Sequence, residues 1–240
     1  MTDYERTLSC LTCSPKGISC KSDADTFQKY IRFFSILKEP QRRPDAYASL
    51  DKELLLLEHF QFDNTHITKK GSEQHKVTAK SNQTFEKKLL CNGDFAVINE
   101  RVRKSGEYYI DNFIAQFNSH YKKIDEYIAE MKLELKSNFQ SVYMGFVIED
   151  SSPLGSIYLD NNGPQVLDLL RTTEFLTLFE ESKKLDFVLF SMTGNVNNLY
   201  QSFISRNTIE LHKENAINAK EIDSFLFEQS FVLCGRIDLK

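Results

Sequence analysis

The sequence predicts an α/β fold: a central mixed sheet flanked by helices, carrying a long helical insertion. Three observations predict it. Asp186–Met192 is an apolar run, the pattern of a central strand covered on both faces. Leu54–Phe62 ends in alternation, Glu58-His59-Phe60-Gln61-Phe62, and its two phenylalanines favour a strand. Phe27, Tyr30, Ile31, Phe34 and Leu37 recur at the three-and-four spacing of a helix that buries one stripe.

The elements follow in order. Residues 1–24 read as irregular, and Asp23 or Asp25 is placed to cap a helix over Thr26–Lys38, which Pro40 and Pro44 end. Leu54-Leu55-Leu56-Leu57 alone would suit a helix, but the alternation after it makes the segment a strand. Leu54, Leu56, Glu58, Phe60 and Phe62 then share one face, with His59 and Gln61 on the other. Asn64 to about Gln83 is polar and lysine-rich, and reads as a long mobile loop or flap. Residues 100–137 read as one long helix or two. In them Ile110, Ile114, Phe117, Tyr121, Ile124, Ile128, Met131 and Leu135 form a heptad seam. That seam packs along its own domain or forms a coiled-coil-like contact with a second chain, and Asn118-Ser119 is a place for a break.

Val142–Ile148 reads as a buried strand closed by Glu149-Asp150, in a hairpin with Ser156–Leu159. Pro164 is placed as a first helical residue, with an amphipathic helix over Gln165–Ser182 that turns Val166, Leu169, Leu170, Leu176 and Phe179 inward. A short helix over Asn197–Ser205 and a strand over Ser230–Leu239 complete the chain. The expectation is one domain over 1–240, with an irregular segment 1–24 and a flexible loop plus helical insertion over 64–140.

Composition narrows the function classes. The chain has 240 residues, enough to bury a sizeable core, with 19 phenylalanines and no tryptophan to fill it. Thirty basic and 34 acidic residues give a net charge of −4, which argues against coating nucleic acid by bulk charge. A local basic stretch remains, with Lys69, Lys70 and Lys76 the residues to contact phosphates. The sequence holds no long apolar span and no apolar leader, so no membrane segment is expected. Five cysteines, an odd number, fit reduced thiols in a cytoplasm. With nine glycines and neither phosphate-binding loop motif nor a Gly-x-Ser-x-Gly elbow, nucleotide-dependent dehydrogenase, P-loop and serine-hydrolase chemistry are disfavoured.

The residues that could carry chemistry are acidic. Glu58 and Asp63 lie towards the end of one strand, Glu149 and Asp150 at the end of another, and Asp160 after a third. Hard cations take oxygen ligands, so carboxylates gathered at strand ends suit magnesium, with Glu58, Asp150 and Asp160 as the ligands. Glu58 is the most telling of them, because a carboxylate on a buried face must be paired or bound. The competing reading pairs Glu58 with an arginine or a backbone donor. The order helix, three strands, helix, strand resembles the core of the PD-(D/E)xK nuclease superfamily. That resemblance implies a magnesium site near Asp150 and Asp160 for hydrolysing nucleic-acid phosphodiesters. The chain departs from the family motif: Asn162 follows Asp160 and Ser151 follows Glu149 where a lysine belongs.

Cys10, Cys13 and Cys20 could chelate zinc, but no second Cys-x-x-Cys completes the set, so structural thiols are the favoured reading. His59 shares a side with Gln61 and Asp63, and nothing in the spacing supports a pair between Cys91 and a histidine. Two classes of function remain. One is a magnesium-dependent nuclease-like enzyme on nucleic acid. The other is a non-catalytic regulatory or bacterial-type defence component that binds a partner, or a second copy, through the 110–135 seam.

Overall fold

The computed structural model describes residues 2–11, 17–65, 67–68, 71–72, 76, 79–80, 83–84, 87, 105–152, 157–160, 163–192 and 200–222. Its two longest strands, β3 (Glu53–Phe62) and β6 (Ser141–Asp150), run parallel from Glu53–Ser141 to Phe62–Asp150. β9 (Phe187–Met192) lies parallel to β6 on its other side. β10 (Tyr200–Ser205) is antiparallel to β9, and β1 (Ile18–Lys21) is parallel to β10 at one edge. At the other edge β2 (Ala46–Leu50) forms a hairpin with β3. The result is a six-stranded mixed sheet in the order β1-β10-β9-β6-β3-β2.

Both faces are covered. Helices α1 (Asp3–Leu11) and α2 (Ala24–Phe34) pack on one face. Tyr30 and Phe33 there meet Leu55, Leu57, Val147, Phe187, Leu189 and Phe203. Helices α3 (Gly106–Tyr121), α4 (Ile124–Leu135) and α5 (Thr173–Glu181) pack on the other. Phe113, Phe117, Tyr127 and Phe179 there meet Leu54, Phe60, Phe146, Ile148 and Phe190. A sheet covered twice needs apolar residues at successive positions, which is why Leu54-Leu55-Leu56-Leu57 is entirely buried yet extended.

Local chemistry sets the element ends. Asp23 caps α2, its carboxylate accepting from Thr26 N at 2.8 Å. Ser105 caps α3, and its hydroxyl accepts from Tyr108 N at 3.0 Å. Asp51 and Lys52, with φ of 48° and 68°, form the two-residue turn between β2 and β3. Two positive φ values match the right-handed twist of such hairpins.

Several expectations change. Residues 1–24 are not irregular, since they hold α1 and β1 among the described residues. The break between α3 and α4 falls at Lys122-Lys123 rather than Asn118-Ser119. The heptad seam faces inward: Ile110, Phe117, Ile124 and Met131 are fully buried, with Ile114, Tyr121, Ile128 and Leu135 packed against the same core. Its buried half packs along the protein's own core. β7 (Ile157–Asp160) does not pair with β6, whose two edges are taken by β3 and β9. It forms a separate ribbon with β8 (Gly163–Val166), so Pro164 is in a strand and the following helix begins only at Thr173. Of the residues expected to turn inward there, Leu169, Leu170, Leu176 and Phe179 are buried while Val166 is exposed. Where a helix over Asn197–Ser205 is expected, the described residues Tyr200–Ser205 form strand β10. The polar loop carries a small ribbon, β4 (Ile67–Thr68) with β5 (Gly71–Ser72). Ser230–Leu239 lies outside the described residues.

Candidate functional site

A cleft of about 460 Å³ opens beside the carboxyl ends of β3 and β6. Crevices at the carboxyl ends of parallel strands are where α/β sheets commonly bind ligands. Asp3 and Arg6 of α1 form one wall, and Arg43 and Asp45, just before β2, another. His59 to Phe62 of β3 and the following Asp63 form the floor, with Asn112, Gln116 and His120 of α3 opposite and Ser151 at the end.

Behind this wall Glu58 is fully buried. Its Oε1 accepts from Arg43 Nη1 at 2.9 Å and from the Tyr127 hydroxyl at 2.7 Å, and lies 2.8 Å from His120 Nδ1. Its Oε2 is buried with no hydrogen-bond partner. An unsatisfied buried carboxylate oxygen is costly, because water is removed and nothing replaces it. Asp45 stands one step beyond the Ala46–Leu57 pair, opposite Glu58, and its Oδ2 accepts from His59 N at 2.7 Å. Burial, then the Glu58 charge, push the Asp45 carboxyl up to about 6. The Tyr127 hydroxyl is likewise held well above its ordinary value by burial and by Glu58. His120 also stacks on Phe60, with ring centroids 5.0 Å apart.

On the opposite face of β3, His59 Nε2 lies 3.0 Å from Glu149 Oε2 of β6. Cys10 of α1 completes this group, whose three ligand atoms all lie within 4.8 Å of one another. Burial above all, with Glu149 next, raises the Cys10 thiol far above its ordinary value. A protonated thiol at a buried position is no ready nucleophile.

The acidic residues singled out in the sequence are therefore divided. Glu58 is in the Arg43–His120–Tyr127 cluster, the pairing that sequence reasoning held as the competing reading. Asp63 lines the cleft and closes β3, its Oδ1 accepting from Thr65 N at 2.9 Å and from the Thr65 hydroxyl at 2.6 Å. Asp150 is fully buried and turns the chain after β6 in the same way, accepting from Ser152 N at 2.9 Å. Glu58 pairs in register with Phe146, four residues before Asp150. At about 3.3 Å per residue that places the two acids roughly 13 Å apart along the strands, too far to share one ion. Asp160 is on β7, in the separate ribbon, and its side chain is outside the described residues. Glu149 joins His59 and Cys10 on the other face.

Of the basic residues, Lys69 and Lys70 lie outside the described residues, while Lys76 is in helical backbone and half-buried. Cys13 and Cys91 are outside them too, and Cys20 is exposed on β1. No described helix is long and apolar enough to cross a membrane.

Sequence reasoning missed Arg6, Arg43, Asp45 and His120. The signal for Asp45 was the Asp51-Lys52 turn: once the hairpin is seen, antiparallel register sets Asp45 against Glu58. Compared with known protein families, with curated proteins and with solved structures, the chain matches none.

Proposed function

We propose that this protein is a metal-dependent phosphodiesterase of nuclease type, with Asp45 and Glu58 as its acidic pair and the cleft beside them as the substrate site. The observation that carries this reading is the buried Glu58 carboxylate. One oxygen holds three donors, the other has none, and a second buried carboxylate faces it across the hairpin. Two like charges in a low-dielectric site are tolerated when a proton or a cation lies between them. Oxygen donors from Asp45 and Glu58 suit a hard divalent ion such as magnesium. When bound, such an ion would polarise a phosphoryl oxygen and supply a nucleophilic water.

The chain's own groups take the remaining roles. Arg6 and Arg43 line the cleft as cations for phosphate oxygens. His120 is held by Glu58 on one side and by the Phe60 ring on the other, which fixes the orientation of its imidazole at the cleft wall.

The test is cleavage of labelled single- and double-stranded DNA and RNA with magnesium or manganese. Asp45→Asn and Glu58→Gln should each lower metal-dependent cleavage by about a hundredfold or more, with folding checked by circular dichroism. No cleavage by the wild-type protein on any of these substrates, or cleavage by both variants as fast as by wild type, would sink the proposal.

A further inference from the structure

On the sheet face opposite Glu58, three chemically different ligands converge from three elements: a thiol from α1, an imidazole from β3 and a carboxylate from β6. We propose that Cys10, His59 and Glu149 bind a borderline transition-metal ion of the zinc(II) class, which fastens α1 to the sheet at the side of the cleft. Sulfur, nitrogen and one oxygen are the donors such an ion selects, whereas magnesium and calcium want oxygen alone. Zinc–ligand bonds of about 2.0–2.3 Å require shifts of only about 1 Å from atoms already this close.

Charge is balanced as well. A thiolate and a carboxylate neutralise a divalent ion, the thiol proton leaving to solvent on binding, and a neutral imidazole adds none. Three protein ligands leave a fourth position, and His59 lines the cleft that would supply water to it. The frame around the ligands is fixed. Gln201 Nε2 donates to Cys10 O at 2.5 Å, and Asp45 holds the His59 backbone at 2.7 Å. Arg6 donates to Gln61 Oε1 at 3.3 Å beside the group. This site is separate from the acidic pair of the proposed function, because successive residues of β3, Glu58 and His59, point to opposite faces.

The test is cobalt(II) titration of the full chain in which Cys13, Cys20, Cys91 and Cys234 are serine. One equivalent of cobalt should give a sulfur-to-metal charge-transfer band with tetrahedral ligand-field absorption, and zinc should abolish both. Cys10→Ser should remove the charge-transfer band, Glu149→Gln should weaken binding, and Glu58→Gln should leave the charge-transfer band unchanged. Should the serine background fail to fold, thermal unfolding of the natural chain serves: zinc raises its midpoint, and His59→Gln or Glu149→Gln removes that rise. A folded protein with no charge-transfer band, or a zinc response unaltered by His59→Gln and Glu149→Gln, overturns the site. Because magnesium is absent from these titrations, failure here leaves the phosphodiesterase reading standing, and the reverse also holds.

Discussion

At the scale of single residues, Asp45 makes the most direct prediction. Its carboxyl stands at about 6 in the folded chain, against an ordinary 3.8, because burial and Glu58 disfavour its charge. A raised folded value means that the native state holds the proton more tightly than the unfolded state does. Asp45 therefore favours folding fully below pH 4, and that contribution is lost as pH rises through about 6. A shift of about two units corresponds to at most roughly 3 kcal/mol. Asp45→Asn, which cannot ionise, should gain stability relative to wild type between pH 4.5 and pH 7.5. Urea midpoints at the two pH values check this, and an equal difference at both would exclude Asp45 as the titrating group. Glu58 illustrates the other side of residue-level reasoning. Its burial was legible from alternation alone, but its partners, 15 and 62 positions away, were not.

At the scale of elements, the contact between β6 and β9 depends on Gly145. It pairs with Phe187, and a Cβ built at Gly145 would lie 2.2–2.6 Å from atoms of the Phe187 ring. The ring occupies the place of the missing side chain. Gly145→Ala should destabilise the protein by about 1–3 kcal/mol through overpacking. A thermal midpoint equal to that of wild type would mean the ring moves aside freely. Elements were legible where one pattern dominated: β3, β6, β9 and the α3–α4 pair follow from apolar spacing. They were misassigned where polar residues are buried by specific partners. Strand β10 carries Gln201 and Ser202 fully buried, satisfied by Cys10 O and by Asp168 Oδ1. In sequence those polar positions look like a solvated helix surface, and only the neighbours that receive them make the segment a strand.

At the scale of the whole molecule, the N-terminal segment is integral to the sheet. β1 supplies an edge strand, and its Lys21 pairs with Asp168, both almost wholly buried. The Tyr200 and Ser202 hydroxyls complete the shell around that carboxylate at 3.0 and 2.7 Å. Removing one partner strands the other charge away from water. Lys21→Met should therefore cost about 3–5 kcal/mol in denaturant unfolding, and Lys21→Met with Asp168→Leu should recover much of it. A small loss in the single variant would show that the hydroxyls alone sustain Asp168.

The sequence by itself determined the fold class, the double burial of the central strand and the apolar stripe along α3 and α4, though not which surface that stripe covers. These are local periodicities, set by how 2.0- and 3.6-residue repeats present apolar groups to a core. It also marked Glu58 as an acid needing a partner, and grouped Asp63, Glu149, Asp150 and Asp160 with it as strand-end carboxylates. Only the tertiary structure decided which acid meets which partner. The sheet order brings α1 beside β3 and β6, the Asp51-Lys52 turn brings Asp45 opposite Glu58, and the two faces of β3 keep Glu58 and His59 apart. Those meetings depend on register and crossover between distant segments, and register is fixed by the packing of the whole sheet rather than by any one strand.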